Sequence, residues 1–306
     1  MQLGIFTRVF QDISFDEMVK QARGYGFKTL ELTANYKSKH INIMQPDIEH
    51  ILQIIEQNDL QITSLDIHRD SQLFLGAKGK DTYHFYPGTS VEQQEYAEKV
   101  LYQIAEVTKQ LNVRVVVGNI GCLDFSDIFE WPSKSGWKNQ LSIAKEKWMP
   151  ILERYYTENI IFAHEIGSQQ LAFNTETALE LADVFENIPS LGFCIDPSQL
   201  LYTGINISDC IESLGKKVVN FHAKDAEFNH TVRKSGILAH GNYSPINRGY
   251  RSRIPGWGDV DWKKTLTSLK IIDYQGPISV EIEDQFLEKD EALKKTIAFL
   301  SPLLFK

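Results

Sequence analysis

The chain has 306 residues, of which 42% are hydrophobic and 24% are charged, and its formal net charge is −8. This is the composition of a globular protein, and its acidic excess argues against nucleic acid as a partner, because phosphate binding needs a basic surface. No apolar run approaches the roughly 20 residues of a membrane helix. Three cysteines without CxxC spacing, and an N-terminus without signal-peptide features, favour a cytoplasmic location.

Short apolar runs alternate with amphipathic runs through the first half of the chain. Ser14, followed three residues later by Glu17, predicts the start of the first helix through a capping box. Pro46 suits the first turn of the second helix. The predicted strands cover residues 3–7, 29–33, 61–67 and 113–117, and the predicted helices cover residues 15–25, 46–57 and 92–111, with a long loop at residues 70–90.

The second half of the chain shows the same alternation of apolar and amphipathic runs and contains one long irregular stretch. The predicted strands cover residues 160–165, 191–196, 218–222 and 278–281, and the predicted helices cover residues 139–156, 175–186, 207–214, 260–272 and 288–300. Residues 226–258 are predicted to be irregular, and loops of that length are usually lids, binding loops or disordered segments.

Strict alternation of strands and helices predicts an α/β protein with a parallel sheet. Eight units in about 300 residues favour a closed (β/α)₈ TIM barrel over an open doubly wound sheet. No GxGxxG follows the first strand and no GxxxxGK[ST] occurs in the chain, so the two common nucleotide-binding loops are not indicated. We therefore expect a single barrel domain over residues 1–306, with a lid-like insertion at residues 226–258 after strand seven.

Four consecutive strands each end with one side chain that can bind a metal. Glu165, Asp196, His222 and Glu281 end strands five to eight, and functional residues of such barrels lie at these carboxyl ends. A single acidic residue there is usually a helix cap or a solvated charge, but four at equivalent positions favour a site. Three carboxylates repel one another unless a cation neutralises them. Three oxygens and one imidazole nitrogen suit one ion of Mn²⁺, Mg²⁺, Co²⁺ or Zn²⁺.

These strand ends carry a family resemblance that covers nearly the whole chain. The motifs are GFKTLEL at 26–32, HEIG at 164–167, IDPSQ at 195–199, FHAKD at 221–225, PGWGDVDW at 255–262 and SVEIED at 279–284. They resemble the xylose-isomerase-like group of barrels. That group includes sugar-phosphate isomerases, ketose 3-epimerases, hydroxypyruvate isomerase, inosose dehydratase and apurinic endonucleases.

The resemblance implies that Glu165, Asp196, His222 and Glu281 are the metal ligands. It also implies that Glu165 and Glu281 form the acid–base pair, as in the epimerases. One departure concerns position 199, where many members carry a histidine that contacts substrate or a further metal. This chain has Gln199, which can hydrogen-bond a hydroxyl but is a poor metal ligand, so a site with several metals is doubtful.

Other residues near the same mouth are candidates for substrate contacts. Lys224 alternates with His222 along its strand, so both side chains should face the same side, where Lys224 could stabilise an enolate oxygen or form an ion pair. His68 ends strand three and either contacts substrate or caps a loop. Arg251 and Trp257, in the predicted lid, are candidates for covering the substrate, and the alternative is a solvated or oligomer-contacting loop.

The remaining candidates for the site are Glu31 and the segment 81–88. Glu31, at strand two, looks like the family's inward-facing carboxylate, and a structural salt bridge explains it equally well. The segment DTYHFYPG at 81–88 is aromatic and could supply a stacking wall for a sugar ring.

The leading functional hypothesis is a metal-dependent isomerase or epimerase of a keto-sugar or sugar derivative. It would act by proton abstraction through a metal-stabilised enediolate, with Glu165, Glu281 and Lys224 as catalytic residues. The enzymatic alternative is a lyase of the inosose dehydratase type, which shares the proton abstraction and then eliminates a β-substituent. The expected partner is a small sugar-like molecule, and the sequence leaves a monomer or a homodimer open.

Two further functional classes have weaker support from the sequence. An apurinic endonuclease needs a multi-metal cluster and a basic groove, but Asn119 and Gln199 stand where histidines are wanted and the net charge is negative. A non-catalytic sugar-binding barrel is the third class, and the intact four-residue set argues against it.

Overall fold

The computed structural model describes residues 1–128, 135–229 and 247–305. Its strands are Leu3–Phe6 (β1), Thr29–Thr33 (β2), Gln61–Asp66 (β3), Val115–Gly118 (β4), Ile161–Glu165 (β5), Leu191–Ile195 (β6), Val218–Ala223 (β7), Asp225–Phe228 (β8), Tyr250–Arg253 (β9) and Ile278–Val280 (β10). Eight of them pair in parallel and close into a barrel in the order β1-β2-β3-β4-β5-β6-β7-β10. The (β/α)₈ TIM barrel predicted from the alternation is confirmed.

Helices follow the strands and cover the barrel. They are Phe15–Gly24 (α1), Ile48–Gln57 (α2), His68–Ser71 (α3), Leu73–Gly76 (α4), Ser90–Gln110 (α5), Gly136–Thr157 (α6), Thr175–Val184 (α7), Pro197–Tyr202 (α8), Ile207–Leu214 (α9), Trp262–Ile271 (α10) and Lys289–Leu300 (α11). None of the helices in these described ranges is both long and apolar enough to cross a bilayer.

Helix starts follow local capping chemistry. The Ser14 side chain accepts a hydrogen bond from the backbone N–H of Glu17, as predicted, whereas the Glu17 carboxylate accepts from Gln21 instead of completing a capping box. A complete capping box forms at Thr89 and Glu92, at the start of α5. The predicted start of α2 at Pro46 is wrong, because the Asp47 side chain caps the helix and the first helical residue is Ile48.

Two further differences from the prediction concern the start of strand four and the loop after strand three. Strand four begins at Val115 rather than at residue 113, because Asn112 has φ 53° and the N–H of Val113 donates to the carbonyl of Thr108 to end α5. The predicted loop at residues 70–90 contains α3, α4 and a 3₁₀ turn, since Leu73, Phe74 and Leu75 are buried against the core.

The long stretch after strand seven is not wholly irregular. Its ends, β8 and β9, form an antiparallel hairpin in which Asp225 pairs with Arg253 and Phe228 pairs with Tyr250. Residues 230–246, the middle of the predicted lid, lie outside the described residues.

The barrel interior is small and partly polar. Val117, Ala163 and Cys194 form its apolar layer, while the main apolar core lies between the strands and the helices. Glu31 is fully buried in the same interior, where its Oε2 accepts hydrogen bonds from the Ser64 hydroxyl (3.1 Å) and the Asn220 amide (2.8 Å). This interior carboxylate also lies 2.8 Å from Nε2 of His222, near the carboxyl end of β7.

Candidate metal centre and adjoining cavity

Three of the four predicted ligands converge on one point. The Nδ1 atom of His222 lies 3.4 Å from Oε1 of Glu165 and 3.4 Å from Oε2 of Glu281. One ligand atom from each of these residues lies within 4.8 Å of the others. They meet because β5, β7 and β10 are parallel strands of one closed barrel, so their carboxyl ends share one mouth.

Asp196, the fourth predicted ligand, approaches the same group from the end of β6. Its Oδ1 caps α8 by accepting from the N–H of Ser198 at 2.8 Å, and its Oδ2 lies 3.5 Å from Nζ of Lys224. The same ammonium lies 3.4 Å from Oε1 of Glu281. Asp196 is therefore linked to the three converging residues through Lys224.

The donor set fits a divalent cation. Oδ2 of Asp196 and Oε2 of Glu281 are buried and have no hydrogen-bond partner in the described part of the chain. Burial raises the pKa of Asp196 to about 7 and also raises the pKa of Glu281, although the Lys224 ammonium opposes both shifts. Buried carboxylates whose oxygens lack a hydrogen bond, beside an imidazole nitrogen, are what a hard or borderline divalent ion binds.

On the side away from Glu165 and Glu281, the His222 ring contacts residues of the barrel interior. Its Nε2 lies 2.8 Å from Oε1 of Glu31, and its ring stacks on Phe6 with centroids 5.2 Å apart. A carboxylate that accepts from the far nitrogen of an imidazole fixes its tautomer and leaves the near nitrogen free to bind a metal. The structure thus places Glu31 inside the barrel, as the resemblance implies, and also in ion-pair contact with His222, as the salt-bridge alternative predicts.

Replacing Glu31 by Gln is expected to weaken divalent-metal binding about 10- to 100-fold, because glutamine holds the imidazole less strongly and no longer raises its basicity. The measurement is a metal dissociation constant from competition with a chelating dye. Asp59→Asn, which removes an exposed carboxylate paired with Lys28, is the matched control and should leave the constant unchanged. Equal affinity in Glu31→Gln and the parent would contradict this role for Glu31.

His68 lies against Glu165 rather than free at the mouth. Its Nε2 is 2.9 Å from Oε2 of Glu165, and its Nδ1 hydrogen-bonds Asp66, the last residue of β3. Burial opposes the protonated form, but Glu165 and Asp66 together raise the pKa of His68 to about 10. His68 therefore orients one oxygen of Glu165 and leaves the other directed at His222. Its substrate-binding role stays a prediction.

Lys224 is surrounded by carboxylates. Besides Asp196 and Glu281, it contacts Oε2 of Glu283 at 2.7 Å, and Arg8 lies 3.8 Å from the other oxygen of Glu283. Lys224 lowers the pKa of Glu283 to about 2. The sequence allowed either an ion pair or a catalytic role for Lys224. The structure places an ion-paired ammonium beside two of the four predicted ligands.

A cavity of about 600 Å³ opens from Glu165. It extends over the loops that follow β3, β4 and β5, and Gln199 lines it near the centre of the mouth. His84 and Phe85, from the aromatic segment 81–88, line its outer part, and Asn119 lines its side. Glu281 faces a different, smaller cavity of about 310 Å³ beside Arg8.

Arg251 and Trp257 do not line the cavity at Glu165. Nη2 of Arg251 binds Oε1 of Glu227 at 2.6 Å, and Trp257 is 44% exposed, with Nζ of Lys295 lying 4.2 Å from its ring centroid. Their substrate-binding roles stay predictions, and the contacts described here join Arg251 to the hairpin strand β8 and Trp257 to α11.

Asp225 explains much of the PGWGDVDW motif. This fully buried carboxylate accepts hydrogen bonds from the N–H groups of Gly256 (2.9 Å), Gly258 (3.3 Å) and Val260 (3.1 Å) and from the indole of Trp262 (2.8 Å). A Cβ at Gly258 would lie 2.2 Å from Oδ1 of Asp225, so the close approach requires glycine. The motif therefore fixes the chain after the hairpin.

The comparison with known families agrees with this geometry. The model of the xylose isomerase-like TIM barrel family matches residues 19–303. The chain belongs to this family. A curated relative, uncharacterized protein YfiH of Bacillus subtilis (strain 168), is 25% identical over 325 residues, covering 97% of this chain and 100% of the relative.

Solved structures of the same fold include three useful neighbours. The probable 3-DHS dehydratase AsbF of Bacillus anthracis has a TM-score of 0.71 at 17% identity, covering 98% of this chain and 99% of AsbF. The 3-keto-D-glucoside 4-epimerase YcjR of E. coli has a TM-score of 0.71 at 12% identity, covering 99% of each chain. IolI, whose crystal structure contains a zinc atom, has a TM-score of 0.66 at 17% identity, covering 99% of this chain and 98% of IolI.

Proposed function

We propose that this chain is a divalent-metal-dependent epimerase or isomerase of a keto-sugar or sugar derivative. The observation that carries the proposal is the convergence of Glu165, His222 and Glu281 within 4.8 Å, with Asp196 beside them. A divalent ion bound there would supply Lewis-acid polarisation of a substrate carbonyl.

Glu165 and Glu281 are the proposed acid–base pair. They approach Nδ1 of His222 at equal distances of 3.4 Å, and they line different cavities. A substrate carbon between them would meet one carboxylate on each face, so one could remove a proton and the other could return it. Such two-sided transfer inverts the configuration at that carbon.

Lys224 is the proposed stabiliser of the enediolate oxygen. Its ammonium lies 3.4 Å from Oε1 of Glu281 and is 5% exposed, so its charge is only weakly screened by water. A fixed positive charge beside the developing oxyanion favours the transition state over the neutral ketone. His68 contacts Oε2 of Glu165 at 2.9 Å and so fixes the orientation of this carboxylate.

A dehydratase is the alternative. One carboxylate could remove the proton, and the β-hydroxyl, protonated by the other carboxyl group, would then leave as water as a C=C bond forms. The probable dehydratase AsbF and the epimerase YcjR share this fold at equal TM-scores, so the fold is compatible with either reaction.

Exchange of solvent deuterium into the substrate distinguishes the epimerase from the dehydratase. The protein is loaded with Mn²⁺, Co²⁺ or Zn²⁺ and incubated in D₂O with ketohexoses, a 3-keto-glucoside, an inosose and 3-DHS, and the products are followed by NMR. Deuterium at one carbon beside the carbonyl, together with a new epimer, supports the epimerase. An unsaturated product supports the dehydratase. If no substrate exchanges or eliminates with any of the metals, both proposals fail.

A further inference from the structure

The cavity at Glu165 extends well beyond the residues that would carry the chemistry. Its lining runs from Glu165 and Gln199 to Phe85 and Phe125, across the loops after β3, β4 and β5. We propose that its outer part is a subsite for the second, non-reacting ring of a neutral glycoside whose keto-sugar ring lies at Glu165. This inference rests on the proposed function, because it assumes that the reacting ring lies at the carboxylates.

The volume favours a ligand larger than one monosaccharide. At about 30 Å³ per water molecule in the liquid, the cavity's 600 Å³ corresponds to about 20 waters, which exceeds the number of non-hydrogen atoms in a six-carbon sugar. A two-ring sugar has slightly more non-hydrogen atoms than that number. Ligand sites enclose most of the ligand surface, so a single ring would leave much of this cavity filled only with water.

The lining favours a neutral ligand rich in hydroxyl groups. Five of its polar side chains are carboxamides: Gln72, Asn119, Gln169, Gln170 and Gln199. The Nδ2 of Asn119 donates to Gln72 at 3.4 Å, while its buried Oδ1 has no hydrogen-bond partner among the described residues. Amides both donate and accept, which matches sugar hydroxyls in either role.

The charges in the cavity disfavour a phosphate or carboxylate on the ligand. The described lining contains no arginine, and its one lysine, Lys78, donates to the carbonyl of Leu123. Asp81 and Asp124 add negative charge to the same wall. An anionic group needs arginines, a free ammonium or a helix N-terminus, and here it would meet two carboxylates instead.

The outer wall is preformed. Buried Gln93 of α5 accepts hydrogen bonds from the N–H of Gly79 (3.0 Å) and the hydroxyl of Thr82 (2.6 Å), and donates to the carbonyls of Gly79 (2.9 Å) and Tyr86 (2.7 Å). These bonds fix the loop that carries Phe85. A rigid aromatic ring can cover the apolar face of a sugar ring without further ordering of the protein.

Binding of non-reacting sugars tests the subsite separately from catalysis. The full chain is titrated with maltose, cellobiose, D-glucose and glucose 6-phosphate, with binding followed by NMR. At least one disaccharide is expected to bind at least about 10-fold more tightly than glucose, and the phosphate is expected to give no gain. Phe85→Ala should remove the disaccharide advantage and leave glucose binding unchanged, whereas Phe85→Tyr, which keeps the ring, should retain the advantage.

Tyr83→Ala is the matched control, because Tyr83 lies in the same loop, is 57% exposed and does not line the cavity. The inference is overturned if both disaccharides bind no more tightly than glucose, if glucose 6-phosphate binds best, or if folded Phe85→Ala keeps the advantage. Should Phe85→Ala fail to fold, Phe85→Leu decides in the same way. If the disaccharides bind no more tightly than glucose but deuterium still exchanges into a keto-sugar, the subsite is rejected and the proposed function is retained. If a disaccharide binds more tightly but no substrate exchanges or eliminates, the cavity binds two-ring sugars and the proposed function is rejected.

Discussion

Replacing Glu281 by Gln is expected to lower the rate of solvent-deuterium exchange into the best keto-sugar substrate by about 10³-fold. The substitution removes a proton-transfer group, whose contribution is typically 10²–10⁴-fold, and replaces a carboxylate ligand by a weaker amide. Glu165→Gln should have an effect of the same size. The measurement is the initial exchange rate by NMR, with metal content determined on the same samples.

Glu227→Gln is the matched control for both variants, because Glu227 pairs with Arg251 and Arg253 on the hairpin and is not among the three converging residues. It should keep the parental rate within about two-fold, since surface substitutions away from a site have small effects. If Glu281→Gln retained metal and exchanged within 10-fold of the parent, Glu281 would not be part of the acid–base pair.

Replacing Lys224 by Met is expected to lower the free energy of unfolding of the metal-free protein by about 3 kcal/mol. Its ammonium is the cation shared by Asp196, Glu281 and Glu283, and loss of one partner of a buried ion pair costs about 3–5 kcal/mol. For a chain of this size, that change lowers the melting temperature by roughly 5 °C. Thermal unfolding in the presence of EDTA measures it.

A second measurement, with Mn²⁺ added, tests whether Lys224 and the metal neutralise the same carboxylates. A metal ion and Lys224 would neutralise two of the same carboxylates, so the metal should raise the melting temperature of Lys224→Met more than that of the parent. Lys294→Met, which removes an exposed lysine paired with Asp290, is the control and should behave as the parent. An equal metal-induced shift in Lys224→Met and the parent would show that Lys224 and the metal do not share these carboxylates.

The positions of Arg251 and Trp257 show where the sequence predicted the site less well. Arg251 and Trp257 were predicted to cover the substrate because they lie in a long stretch after strand seven. The structure pairs Arg251 with Glu227 and leaves Trp257 exposed, because Asp225 fixes the backbone of Gly256 and Gly258 on either side of it. Neither the hairpin register nor the buried acceptor can be read from residue spacing, since both depend on contacts made after the chain folds.

The sequence by itself determined the barrel and the positions of the four candidate ligands. Parallel strands that end in Glu165, Asp196, His222 and Glu281 must bring these residues to one mouth, because alternation of strands and helices allows few other topologies. Only the tertiary structure decided which neighbours each would have. Glu31 reaches His222 from 191 residues away, and Lys224 lies between Asp196 and Glu281. Such contacts depend on barrel closure and side-chain packing, which local sequence patterns do not encode.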